Sequence, residues 1–279
     1  MLYKSLFSIL FIFLFSISCS KKIIQKSEIR ETNLESQMIE AYNEGLKELE
    51  RGDVIYAAKK FNEAEILFPQ SELAPKAALM AGYSYYSQNY YLDAIAELDR
   101  FLKVYPNNKD IVYAEYLLGL CYYEQIVDEK KDLESIQKSK NIFISVIEKY
   151  PNTDFAIDSE FKLNLINDIL AAKEMYIGRY YIERKKWIAA INRFKFVIDN
   201  YQTTIYVEEA LHRLVEVYYI LGLENEAKKY ATLLGYNYQS SEWYENTYAF
   251  FNKNYEKKKR EKENNNILKR FKSLFNSDG

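Results

Sequence analysis

At 279 residues the chain is long enough for one elongated domain or two compact ones, and 48% apolar against 28% charged residues excludes global disorder. A net charge of −2 excludes a nucleic-acid binder held by phosphate contacts. Eight glycines and four prolines are too few for the many turns of a sandwich or barrel, so helices remain.

Residues 1–18 read as an export signal. Lys4 is followed by no charge until Lys21, and the uncharged run of 16 residues from Ser5 to Ser20 is short for a membrane span of about 20. Ser16-Ile17-Ser18-Cys19 resembles a bacterial lipobox, which makes Cys19 the lipidated first residue of the mature chain. An ordinary signal with an incidental cysteine is the other reading. Ser20 after the cysteine points to the outer membrane. Only Cys121 would then remain, in an apolar setting that suits a small core residue, and no internal disulfide is possible. Residues 19–37 form a tether.

From residue 38 to 251 the chain repeats. Gly45, Gly82 and Gly119 stand 37 apart and Gly178 follows after 59. Ala57, Ala94, Ser139, Ala190 and Ala227 step by 37, 45, 51 and 37, and so do Pro69, Pro106, Pro151, Gln202 and Gln239. Three markers on one rhythm indicate internal repeats of two helices each. Glycine and alanine mark the closest approach of the paired helices. A Phe or Leu at +16 from the glycine is expected to fill the space between units, and proline ends the second helix. A single unit leaves an apolar face uncovered, so units must stack.

The pattern resembles the tetratricopeptide repeat, stretched to 37 residues. The predicted fold is an all-α, tetratricopeptide-repeat solenoid of five helix-pair units. Second helices are expected near 55–67, 92–104, 137–149, 188–200 and 225–235. Eight extra residues in unit three, Val127 to Glu134, should loop out between its helices. Fourteen extra residues precede Gly178, and the run from Ala156 to Arg184 holds no proline and only that glycine. It is predicted to be one long helix.

From this helix onward the residues resemble the BamD family, the lipoprotein component of the machinery that inserts β-barrel proteins into the outer membrane. The resemblance rests on Tyr180-Tyr181, Arg184, Trp187, Ala189-Ala190, Asn192-Arg193, Tyr201 with Thr204, Ala210-Leu211, Leu221-Gly222-Leu223 and Ser241 with Trp243-Tyr244. It covers roughly residues 38 to 248, with the same five repeats and two insertions. Gln202 and Gln239 depart from the family's proline. The resemblance implies a non-enzymatic scaffold on the periplasmic face of the outer membrane. Its expected partners are the barrel-inserting subunit, unfolded barrel proteins and, through the lipid anchor, the membrane. A repeat lipoprotein that organises cell-envelope or peptidoglycan complexes is the alternative.

No catalytic or cofactor pattern competes with this. His212 is the single histidine, a lone histidine is more often structural, and no Gly-rich phosphate loop or nucleophile motif is present, so no metal or cofactor is expected.

Two surfaces are candidates for binding. If first helices line an inner face, as in tetratricopeptide arrays, Tyr42, Tyr83, Tyr86, Tyr113, Tyr116 and Tyr123 form an aromatic groove for a β-prone peptide. The alternative is that these rings pack between helices with hydroxyls at the rim. In the fourth unit, burial of Ala190, Ile191, Phe194, Val197 and Ile198 turns Asn192, Arg193 and Lys195 outward. An arginine there is either simply solvated or an interface residue. The resemblance implies docking to the barrel-inserting subunit through this half, with Arg184 close by.

Residues 252–279 form a basic tail: from Lys253 to Lys272 there are nine Lys/Arg against three Glu. Ile267, Leu268, Phe271, Leu274 and Phe275 fall at helical spacing, which suits either contact with anionic lipid or a partner, or a solvated charged tail.

Overall fold

The computed structural model of the chain describes residues 28–126 and 133–252. Every regular element among them is an α-helix: α1 Glu28–Arg51, α2 Val54–Leu67, α3 Leu73–Ser87, α4 Tyr91–Val104, α5 Ile111–Tyr123, α6 Glu134–Lys149, α7 Asp154–Glu183, α8 Trp187–Asn200, α9 Val207–Ile220, α10 Glu224–Asn237 and α11 Glu242–Phe251. The predicted second helices are α2, α4, α6, α8 and α10. The expected long helix is α7, 30 residues without interruption. The chain is an all-α, tetratricopeptide-type array of five helix pairs followed by α11. Of the predicted loop in unit three, residues 127–132 lie outside the described residues. Its last member, Glu134, is the first residue of α6 rather than loop, because it opens a helix whose first turn accommodates an acid.

Two compact bodies divide within α3, between Ala81 and Gly82. The first holds α1, α2 and most of α3. Its core is Met38, Tyr42, Ala57, Ala58, Phe61 and Ala64. In the second, contacts run from helix to helix along the chain: α4 on α5, α5 on α6, α6 on α7, α7 on α8, α8 on α9, α9 on α10, and α11 on α9 and α10. The long helix has two halves with different duties. Its start packs against α5 and α6, while Met175 and Gly178 near its end are fully buried toward α8.

One contact recurs inside the pairs. A methyl group built on Gly45 would stand 2.9 Å from the Phe61 ring, on Gly82 3.1 Å from Leu98, and on Gly119 2.7 Å from Phe143. At Gly178 it would overlap the Phe194 ring, with Cζ 2.7 Å away. The Phe or Leu therefore lies on the glycine of its own pair, not between units as the sequence suggested. All four large side chains have no exposure. The small-residue column is equally dry, since Ala57, Ala94, Ser139, Ala190 and Ala227 are all at 0%. Ser139 replaces alanine without leaving its hydroxyl unpaired, because Oγ donates to the Gly119 carbonyl at 3.1 Å.

The turns also repeat. Between paired helices Gly52, Asn89, Lys185 and Gly222 take positive φ (85°, 66°, 55° and 74°). At each, this residue's N–H bonds the carbonyl three residues back, and the next N–H bonds the carbonyl five back. That is the Schellman ending, which requires a left-handed residue. Between units the helix stops at an aromatic residue: Phe68, Tyr105, Tyr150, Tyr201 and Tyr238, with φ from −145° to −121° and ψ from 47° to 75°. Each of their carbonyls accepts the N–H of the residue three further on, namely Ser71, Asn108, Thr153, Thr204 and Ser241, at 3.0–3.2 Å. Four of those side chains accept an N–H at the entry to the next helix, from Leu73, Asp110, Ala156 and Trp243, and Thr153 and Ser241 do so as N-caps. Gln202 and Gln239 thus end helices at the same register as the prolines do.

If the ring-on-glycine contact sets helix spacing, Gly178→Ala should cost about 1–3 kcal/mol of stability through overpacking. Phe194→Leu in the same chain should recover part of it, since Leu98 already serves opposite Gly82. Urea unfolding measures both. A neutral Gly178→Ala would show that the spacing is set elsewhere.

Candidate binding surfaces

The six predicted groove tyrosines do not share one environment. Tyr42 is 7% exposed and packs edge-on against Phe61 in the first body, with Lys76 over its ring. It is a core side chain, because α1 turns it toward α2. The other five lie in the second body and are half-buried. Burial first, and then the charge of Tyr83 and Tyr86 on α3, raises the pKa of Tyr113. Tyr116 and Tyr113 both lean on Phe155, the second residue of α7, at 5.3 and 5.6 Å. Tyr123 meets Phe143 at 6.4 Å and carries Lys162 over its ring at 5.0 Å.

Asp158 organises this cluster. The Tyr116 hydroxyl donates to Asp158 Oδ2 at 2.6 Å. Burial first, and then this carboxylate, push the Tyr116 hydroxyl far up. Burial, aided by Tyr83 and Tyr86, pushes Tyr113 up to about 12. The cluster therefore presents neutral phenols, aromatic faces and one fixed carboxylate. Asp158 left no trace in the sequence pattern, since it lies 42 residues from its tyrosine. Cys121 sits beneath, fully buried and raised to about 12 by that burial, in keeping with a core residue.

The second predicted surface is assembled by the end of α7 and the start of α8. Arg193 Nη1 donates to Glu174 Oε2 at 2.9 Å, and this bond, with help from Tyr181, holds the guanidinium firmly charged. Asn192, Arg193, Ala189, Tyr181 and Phe196 line an open pocket of about 270 Å³. Phe196 is 44% exposed there. Arg184 is exposed and stacks over Tyr180 at 5.0 Å. Lys195 departs from the expectation. It lies on another side of α8, over the Tyr218 ring at 5.8 Å, where Tyr218 and Tyr230 stack nearly parallel. The spacing singled out Asn192 and Arg193, whereas Tyr181 and Phe196 were read as part of a motif or not at all.

His212 is a packing residue. It is 4% exposed, Nδ1 lies 2.7 Å from Thr247 Oγ1, and the ring rests on Trp243. Among the described residues no group of three His, Cys, Asp or Glu is placed to hold a metal ion, and no helix is long and apolar enough to cross a membrane. Cys19 and the basic tail lie outside the described residues.

Comparison with known proteins now decides the family. The family model described as "YfiO: Outer membrane lipoprotein" matches residues 34–233. The chain is 46% identical over 231 residues to the outer membrane protein assembly factor BamD of Rickettsia prowazekii, covering 83% of this chain and 92% of that one. It is 43% identical to the protein of that name from Caulobacter vibrioides, covering 76% and 70%. The chain belongs to the BamD family. A Neisseria meningitidis BamD is 30% identical over 72% of this chain and 79% of its own. Among solved structures, "MamA AMB-1" is similar at a TM-score of 0.33 and 16% identity (73% of this chain, 93% of that one), a likeness that decides nothing about function. The match to the BamD family spans both candidate surfaces, since Tyr83 to Tyr123 and Glu174 to Phe196 fall within the matched residues.

The tyrosine cluster gives a pH test. The folded chain holds Tyr113 above its ordinary value of 10, at about 12, by burial. A phenol raised in this way adds stability that is complete below about pH 10 and is lost as pH climbs toward 12. Tyr113→Phe should therefore lose less of its melting temperature than the parent chain between those values. Parallel slopes for the two proteins would show that Tyr113 is not desolvated in solution.

Proposed function

We propose that the chain is a non-enzymatic assembly factor for outer-membrane proteins, held on the periplasmic face by a lipid on Cys19. On this reading it receives unfolded barrel proteins on the tyrosine cluster and docks to the barrel-inserting subunit through the surface around Arg193. Kinship with curated BamD proteins at 46% and 43% identity supports the assembly role. The observation that carries the division of labour is α7: its first turns supply Phe155 and Asp158 to the tyrosines, and its last turns supply Glu174 and Tyr181 to Arg193.

The chemistry of each surface suits its partner. Half-buried phenols offer aromatic faces to aromatic side chains, and their hydroxyls serve the unpaired backbone of a strand that has not yet joined a sheet. Around Arg193 an exposed ring, an amide and an oriented guanidinium make a small anchoring pocket of the kind that dominates protein interfaces. Arg193 is already aligned by Glu174, so little side-chain freedom remains to be lost on docking.

Arg193→Glu should weaken docking to the barrel-inserting subunit by roughly 1–2 kcal/mol, because it removes the fork and places two acids together. Tyr83→Ala with Tyr86→Ala should leave docking intact and weaken capture of aromatic-ended barrel peptides. That pair spares the Tyr116–Asp158 bond. Binding of the two partners, measured separately on variants with unchanged helicity and melting, tests the assignment. Docking lost with the tyrosines and kept with Arg193→Glu would reverse it.

The anchor is tested by mass spectrometry of the protein from native membranes. The expected N-terminal peptide begins at an acylated Cys19, and cleavage elsewhere without acyl mass would remove the anchor from this reading.

A further inference from the structure

The array ends on an incomplete pair. Ser241 opens α11 as Ser71, Asn108, Thr153 and Thr204 open α3, α5, α7 and α9, so α11 stands in the position of a first helix. Every earlier first helix has a second helix folded back on it. Among the described residues α11 has none, and its main packing is on α9 and α10. Stacked repeats leave an uncovered apolar face at such an end unless something caps it. Here that face is a groove of about 620 Å³ between α10 and α11. Ala231, Gly235, Tyr236, Tyr244, Tyr248 and Phe251 line it, with Lys228 its one charged side chain. Tyr236 is 84% exposed.

The chain itself supplies a fitting occupant. Residues 253–279 lie outside the described residues, and their sequence carries Ile267, Leu268, Phe271, Leu274 and Phe275. Wound as a helix, these five fall on one stripe, with Arg270 and Lys272 on its flanks and Lys269 behind it. Such a stripe enters an apolar groove with its long cationic side chains left reaching into water at the rim. Reach is sufficient. Residues 253–266 span up to about 46 Å when extended, more than twice the roughly 21 Å of a 14-residue helix such as α10. The chain also leaves α11 at Phe251, itself part of the groove wall.

We infer that the groove between α10 and α11 is a docking site for the chain's own Ile267–Phe275 segment, which caps the last helix pair. The inference is independent of which partners the two other surfaces bind. A second copy, or an anionic membrane that takes the same amphipathic segment, are the competing occupants.

A photo-reactive benzoylphenylalanine at position 236 of the full-length lipidated protein, in detergent, tests this. Crosslinks should map by mass spectrometry to residues 267–275, in a product that migrates as a monomer. Leu268→Asp with Phe271→Asp should lower the yield by about tenfold or more, because unpaired carboxylates are strongly disfavoured on an apolar floor. Those changes lie outside the described helices, whose circular dichroism and melting should be unchanged. Crosslinks to other segments, a crosslinked dimer, a yield indifferent to the aspartates, or loss of the crosslink on adding phosphatidylglycerol vesicles would each overturn the inference.

Discussion

The contact on which this molecule depends is a large apolar side chain packed directly on a glycine. In four of the five helix pairs the first helix contributes glycine and the second contributes Phe61, Leu98, Phe143 or Phe194. The bare backbone lets the ring come within van der Waals distance, so the two axes are brought close and the ring is wholly excluded from water. In the fifth pair the sizes are exchanged. Val215 stands where the glycine is expected and Ala231 where the ring is expected, both within the same apolar cluster. Total volume across the contact is what the array conserves, in keeping with the tolerance of cores for volume-preserving exchanges.

Around that spacing the long helix joins the two candidate surfaces. α7 runs about 45 Å at 1.5 Å per residue. At one end it anchors phenols through Asp158, and at the other it anchors a guanidinium through Glu174. A second set of charges continues from it: Arg179 on Glu209, Glu209 on Arg213, Arg213 on Glu216 and over Trp243. These partly exposed pairs are worth little singly. Their effect is directional, fixing α7, α9 and the start of α11 in a common register.

Much of this was legible in the sequence. Markers that keep the same steps of 37, 45, 51 and 37 point to repeated packing, so their positions sufficed to place all five second helices within a few residues and to reveal α7. The role of the +16 aromatic was misread because periodicity reports which residues are buried and not which helix they face. Tyr42 was misplaced for the same reason, since a tyrosine on a first helix looks alike from either side. The turn signal was present but spread over residue classes: an aromatic, then proline or glutamine, then two positions on a Ser, Thr or Asn. Read that way, Gln202 and Gln239 cease to be exceptions. Asp158 and Glu174 stayed hidden, because pairing across tens of residues leaves no local mark.

The two kinds of turn carry a further consequence for how such a chain acquires its structure. Each is closed by backbone hydrogen bonds among residues three to five apart, from Leu49 with Gly52 to Tyr238 with Ser241. Nearly all stabilising contacts then join neighbours in the chain, and little loop entropy must be lost before they form. Folding can begin at any pair and spread, without a template and without waiting for distant segments. The long helix ties the most neighbours together, since it touches α5, α6 and α8. Because α7 completes the packing of α6 and also forms its own pair with α8, the middle of the second body is expected to open as one cooperative block.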